Sequence, residues 1–282
     1  MQHTKHTRET ILTLYGDYVL PRGGELGIGS LITLLGNFGQ SELAIRSAVS
    51  RMCSSGLLKA RRDARKSYYS LTREGSRLLT EGAQRIFERK NPQWDGSWSI
   101  VTYSIPERLR KARDTLRVEL GWMGYGAMSE ATWISPFDLS KEVRSLLKRL
   151  DIEEYARFFT ARHCDGTDPV KIISRCWDLS KIHRKYVDFI AKYEPKLEAH
   201  RQRLLAGEII DPRECFVTRF NLINEYRRLP FFDPDLPLEL LPKNWLRSRA
   251  AALFDGYHGM LTEKASDYFD CVCNDYQESV RD

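Results

Sequence analysis

Four polar side chains on one predicted helix, and five cations on the strand pair after it, could between them hold a polyanion. Arg46, Ser47, Ser50 and Arg51 share the polar arc of a helix that begins after Ser41, at about 100° per residue. Ala44, Ile45, Ala48, Val49 and Met52 share the opposite arc, so one face packs and the other is basic. Arginine offers paired donors to guanine, and serine bonds to base edges or phosphates, so this set suits a helix in the major groove of DNA. Lys59, Arg61, Arg62, Arg65 and Lys66 then crowd five cations against Asp63 into eight residues, with Tyr68 and Tyr69 beside them. Phosphate contact accounts for that density better than solubility does. Two plainer readings stay open at this level: a solvated polar stripe, and a protein-contact module of the same fold.

The elements around these residues are predicted from periodicity and punctuation. Ile11, Leu14, Tyr15 and Tyr18 recur at helical spacing in a first helix that Pro21 and Gly23-Gly24 end. Ser30 reads as the N-cap of a second helix through Leu31, Ile32, Leu34 and Leu35, and Gly36 to Gly39 supplies a turn of helix-turn-helix length. Ser41 caps the third helix and Gly56 ends it. Leu57 to Arg62 and Ser67 to Leu71 form two strands around Asp63 to Lys66, a candidate wing, and Thr72 caps a following helix. Charge supports this placement. Residues 1–90 carry 15 Lys and Arg against 8 Asp and Glu, a balance of +7 in a chain whose total is +6. A basic module joined to a nearly neutral body is the electrostatic pattern of a nucleic-acid reader with a regulatory part.

Beyond a linker at Asn91 to Ser97, the chain changes character. A strand at Trp98 to Ser104, a helix opened by Pro106, one or two strands in Ala127 to Ile134, a helix from Leu139 and a strand at Tyr155 to Ala161 give the order β-α-β-β-α-β. That is the order of a ferredoxin-like domain. From Asp165 onward the pattern is helical, interrupted by Pro230, Pro234, Pro237 and Pro242. The expected class is α+β and multidomain: a winged helix-turn-helix domain at 1–90, a ferredoxin-like central domain at 98–165 and a helical C-terminal domain at 166–282.

Little points to catalysis. The chain has no GxSxG elbow, GxxxxGK[ST] loop or GxGxxG fingerprint. Cys53, Cys164, Cys176, Cys215, Cys271 and Cys273 form no disulfide framework, and neither Cys271/Cys273 nor His163/Cys164 completes a metal set. His183 and His258 are isolated, and His258 reads better as a packed or surface residue than as a ligand group. Trp177, Trp245, Phe231 and Phe232 read as core before they read as an aromatic pocket. No catalytic residue, metal or cofactor is assigned. With neither a long apolar run nor a secretory start in MQHTKHTRET, a soluble cytoplasmic protein is the expectation.

The quoted stretches also carry a resemblance. Tyr15-Gly16-Asp17-Tyr18, Pro21-Arg22-Gly23-Gly24-Glu25, Gly29-Ser30-Leu31-Ile32, the run Ala44 to Arg51, and Ser67-Tyr68-Tyr69-Ser70-Leu71-Thr72 resemble the PaaX family, repressors of phenylacetate-degradation operons. Trp94-Asp95-Gly96 with Trp98 fits, as do Tyr226-Arg227, Asp233-Pro234-Asp235-Leu236-Pro237, Leu240-Leu241-Pro242 and Trp245. The resemblance implies a cytoplasmic homodimeric repressor on double-stranded operator DNA, released by an acyl-CoA effector, phenylacetyl-CoA in the family. No effector-contacting residue can be matched. The DNA-binding residues expected are Arg46, Ser47, Ser50, Arg51, Lys59, Arg61, Arg62, Arg65, Lys66 and Tyr68.

A metal-dependent nuclease is the alternative. The central segment is also similar to small CRISPR-associated ferredoxin-like nucleases, whose first strand ends in a metal-binding aspartate before an Ile-Pro step. Here Val101-Thr102-Tyr103-Ser104-Ile105-Pro106 puts Ser104 at that place, and a neutral hydroxyl holds a hard cation poorly. Retention of the fold without the chemistry is therefore expected.

Overall fold

The computed structural model describes residues 2–64, 66–87, 93–162, 166 and 168–278. In chain order the elements are α1 (Gln2–Leu14), β1 (Glu25–Gly27), α2 (Ile28–Gly36), α3 (Glu42–Ser54), β2 (Leu58–Asp63), β3 (Lys66–Leu71) and α4 (Arg73–Phe87). There follow β4 (Trp98–Tyr103), α5 (Arg110–Trp122), β5 (Gly126–Ala127), β6 (Thr132–Ser135), α6 (Ser140–Arg149) and β7 (Ala156–Ala161). The rest is helical: α7 (Pro169–Cys176), α8 (Leu179–Leu205), α9 (Pro212–Tyr226), α10 (Leu229–Phe232) and α11 (Arg247–Glu278). The chain divides into two compact units, one of Met1–Glu88, Phe189–Arg227 and Arg249–Asp282, the other of Arg89–Asp188 and Arg228–Ser248. Compactness thus groups residues otherwise than the consecutive segments 1–90, 98–165 and 166–282. None of the helices searched is long and apolar enough to cross a membrane.

In the first unit the stripe Ile11, Leu14, Tyr15 and Tyr18 is fully buried, because the helical path continues past α1 through a wide turn at Tyr15–Val19 and a tight one at Leu20–Arg22. Tyr15 donates to the Tyr69 carbonyl at 2.8 Å, tying this path to the sheet, and Tyr18 packs on Phe216 and Phe269. Leu31, Leu34 and Leu35 of α2 and Ile45 and Val49 of α3 complete the same core. One local expectation changes. The second helix starts at Ile28, with Gly27 and not Ser30 at its cap, and Ser30 lies buried inside the first turn. The cause is a short strand that the sequence pattern did not signal: β1 pairs with β3, so its extended backbone ends only at Gly27.

The sheet order is β1-β3-β2, antiparallel throughout. Leu58 faces Leu71 and Leu26 faces Tyr69 across it, which puts Leu26, Leu58 and Leu71 on the core side. By the same alternation Lys59, Arg61, Asp63, Lys66 and Tyr68 share the outer side.

The second unit holds an antiparallel sheet of order β5-β6-β4-β7, with the chain running β4, α5, β5, β6, α6, β7. Val101, Tyr103, Leu116, Leu120, Trp133, Val143, Leu146 and Leu147 form its core, where the Tyr103 hydroxyl donates to the Glu130 carbonyl at 2.8 Å. Trp177 belongs to this packing. Its indole lies so close over Gly126 that a Cβ there would stand 2.6 Å from the ring, and its N–H donates to the Gly124 carbonyl at 3.1 Å.

Candidate nucleic-acid interface

The turn between α2 and α3 is built by backbone chemistry. The Asn37 amide donates to the carbonyls of Thr33 and Leu34 at 3.1 Å each, closing the end of α2, and Gly39 takes the left-handed conformation. Ser41 then accepts from the Ala44 amide at 3.3 Å and starts α3. Ile45, Ala48, Val49 and Met52 are buried, which turns Arg46, Ser50, Arg51 and Ser54 outward with Ser47 partly covered.

Both arginines of α3 lie along the helix. Arg46 pairs with Glu42 at 2.7 Å and Arg51 donates to the Ser47 hydroxyl at 2.6 Å, each one turn away. These partners hold the guanidinium groups in place at the surface, and exchanging them for an outside acceptor costs little. Leu43, 79% exposed, stands near the start of this helix. Sequence reasoning passed over it, although its spacing of three and four from Arg46 and Ser47 is legible.

The base of the strand pair is locked by close packing. Thr72 accepts from the Gly75 amide at 3.1 Å and donates to the Gly56 carbonyl at 2.5 Å. A Cβ on Gly75 would stand 2.2 Å from the Leu57 carbonyl oxygen, so only glycine lets α4 begin there.

Along the hairpin the cations differ. Arg61 is gripped by two carboxylates, Glu25 at 2.6 Å and Asp63 at 3.1 Å, and lies over the Tyr68 ring at 4.8 Å. Hydrogen bonds from Arg61 hold the Glu25 carboxyl below its ordinary range and in return raise the guanidinium's own pKa. Glu25 is the residue that the tally of five cations against Asp63 left out, because it joins the hairpin only through the β1–β3 pairing. Lys59 is exposed on the same side, whereas Arg62 is exposed on the opposite side of the strand beyond the core leucines. Lys66 sits across the hairpin from Asp63, and its Nζ is shut off from solvent with no hydrogen-bond partner among the described residues. Arg65 lies outside the described residues.

The other sequence candidates occupy structural positions. His258 bonds to Asp17 at 3.2 Å and stacks on Phe254, and Asp17 also holds the buried Arg219. His183 lies against Trp245 with ring centroids 5.8 Å apart. The Phe232 ring is half exposed and carries Lys185 over its face, while the Phe231 side chain, His163 and Cys164 lie outside the described residues. Ser104 is exposed at the end of β4, its amide bonded to the Tyr155 carbonyl at 2.9 Å. Among the residues searched, no three His, Cys, Asp or Glu side chains converge.

Comparison with known proteins covers nearly the whole chain. Three family models match: PaaX-like protein over residues 6–75, PaaX protein central Cas2-like domain over 91–173 and PaaX-like protein C-terminal domain over 177–271. Transcriptional repressor PaaX of Escherichia coli (strain K12) is 32% identical over 247 residues, which is 86% of this chain and 76% of that protein. A solved structure of an uncharacterized protein from Mycobacterium tuberculosis matches with a TM-score of 0.57 and 23% identity, over 86% of this chain and 90% of that one, a likeness of fold.

Proposed function

The chain belongs to the PaaX family, and on that premise we propose that it is a DNA-binding transcriptional repressor of a phenylacetate catabolic operon. One observation carries the DNA part of the reading: the outward face of α3 presents Arg46, Ser50 and Arg51, and a strand pair bearing Lys59, Arg61, Arg62 and Lys66 follows it directly. In this reading α1, α2, α3 and the three-stranded sheet form a winged helix-turn-helix. Arg46, Ser47, Ser50 and Arg51 approach base edges, and the wing cations Lys59, Arg61, Arg62 and Arg65 contact backbone beside Tyr68, as Lys66 does only once its enclosed Nζ turns outward. The segment 98–165 is a ferredoxin-like platform without nuclease activity, and 166–282 is the helical C-terminal domain. The repressor acts in the cytoplasm as a homodimer, needs no cofactor, and is released by an aryl-acetyl-CoA such as phenylacetyl-CoA. The relative's name supports repression, and the family likeness supports the effector.

A binding selection on random duplex DNA tests the first claim. Recovery of a two-fold symmetric site is the expected result, and no enrichment over competitor overturns it. The effector claim is tested by titrating that operator complex with phenylacetyl-CoA, phenylacetate and free CoA. A coupling of about 1–3 kcal/mol corresponds to a roughly five- to 150-fold loss of operator affinity with the thioester. Equal action by free CoA would instead indicate displacement of DNA by a polyanion.

A further inference from the structure

We propose that Leu43 is a specificity-determining residue of α3, whose side chain reads the 5-methyl group of one thymine in the major groove. The assignment rests on the reading of α3 as the helix that meets base edges, and names a base that the helix reads.

A single exposed leucine is common on a protein surface and by itself says nothing. The place of this one says more. Leu43, 79% exposed, is the second residue of α3, and at about 100° per residue it falls opposite the buried Ile45 and Met52. It therefore lies on the centre line of the outward face, together with Ser50. The two hydrogen-bonded pairs of that face run along its flanks. Glu42 and Arg46, 2.7 Å apart, lie to one side, and Ser47 and Arg51, 2.6 Å apart, to the other. Between them stand an isobutyl group and one small hydroxyl.

Local folding gives Leu43 no other role. Ser41 caps α3 through the Ala44 amide. The apolar contact that often braces such a cap joins the residue before the cap to the fourth of the helix, here Gln40 and Ile45. Leu43 holds neither position.

The same place suits a base contact. Side chains of an α-helix lean toward its N-terminus, and the first residues of a recognition helix are those that reach base edges. The flanking guanidinium groups draw a polyanion to this face. Of the groups that the major groove displays, the thymine methyl is the apolar one, and it meets an apolar tip without leaving a polar group unpaired. An apolar protein surface fits less well, because it would have to cover Glu42 and Arg46, each more than half exposed, along with the leucine.

The test couples one methyl group to one side chain. The probe is the duplex recovered by selection on random DNA, made with each thymine in turn replaced by uracil, which removes only the 5-methyl. The full-length protein and its Leu43→Ala and Leu43→Met variants are titrated against this series, with melting curves to show that all three fold alike. At one thymine of a half-site, uracil should weaken the unaltered protein about fourfold, the worth of one buried carbon. Leu43→Ala should bind the thymine duplex more weakly by a similar factor and bind the uracil duplex no worse, and Leu43→Met should keep most of the distinction. If no thymine methyl matters to the unaltered protein, or the methyl effect persists in Leu43→Ala, the assignment is overturned while α3 remains the DNA-reading helix. Equal weakening of thymine and uracil duplexes by Leu43→Ala overturns it too. So does altered sedimentation of Leu43→Ala with unchanged DNA affinity, which makes Leu43 a protein contact. Failure of the selection to enrich any duplex removes the DNA reading and this assignment together.

Discussion

On α3 and the hairpin, arginines meet acceptors at the surface: Arg46 with Glu42, and Arg61 with Glu25 and Asp63, every partner about a third exposed or more. In the second unit Arg247 meets Asp233 with two hydrogen bonds, at 2.9 and 2.6 Å, and a third to the Leu236 carbonyl at 3.1 Å, with Asp233 fully enclosed and the Tyr186 hydroxyl donating to it as well. The functional groups are the same and the roles are not. Surface pairs in high dielectric are nearly free to exchange partners, so they can hold a guanidinium ready and release it to a phosphate or base. A pair without water cannot be broken without stranding a charge, so it pins the proline-rich segment after α10 to the first turn of α11. Burial, more than residue type, separates a recognition arginine from an architectural one.

The largest effect that would break this contrast is on the buried side. Arg247→Ala should cost about 3–5 kcal/mol in urea unfolding, because it removes the guanidinium that neutralises the buried Asp233 carboxylate. A loss no greater than that of a surface alanine would mean that the pair is not architectural. On the recognition side, Arg51→Ala should leave unfolding unchanged and cost about 1–3 kcal/mol of operator affinity, relaxing preference at one base pair in a sequence-resolved titration. Arg62→Ala should weaken all duplexes alike and lower the slope of log K against log salt by about one unit. An unchanged slope would remove Arg62 from the backbone contacts.

The smallest and sharpest effect concerns Glu25, whose carboxyl Arg61 holds below its ordinary range. A carboxylate with a lowered folded-state pKa contributes its stabilisation above the unfolded value and loses it as pH falls through the lowered one. Over that acid window Arg61 is released from Glu25, so duplex affinity at fixed salt should rise there. Glu25→Gln should give the higher affinity already at neutral pH, with no measurable change in melting temperature and a flatter acid limb. Identical pH profiles for the two proteins would show that Glu25 does not restrain Arg61.

Local signals made much of the interface legible. Ser41, the apolar arc of α3 and the cap at Thr72 are short-range patterns, and in the structure Ser41 and Thr72 do accept from the amides three residues on. Ser30 misled for a reason of the same kind. A serine before an apolar run resembles an N-cap, but the strand pairing that delays the true cap to Gly27 depends on β3, about 40 residues away. Trp177 and Trp245 read as core before pocket, but the sequence does not say against what they pack, since nothing local records that Gly126 is the surface under the Trp177 ring.

By itself the sequence determined the charge asymmetry, the helical and strand periods, and the residue types that a polyanion would meet. These are properties of composition and short spacing, and no folding can alter them. Tertiary structure decided which of those charges are already spent. That Arg61 is held by Glu25, that Arg62 turns to the other side of the strand, and that the Lys66 Nζ is shut off from solvent without a partner among the described residues all follow from strand register and long-range packing. Electrostatic worth depends on distance and burial. Both are set by residues far apart in the chain, so a count of cations along the sequence overstates the number free to act.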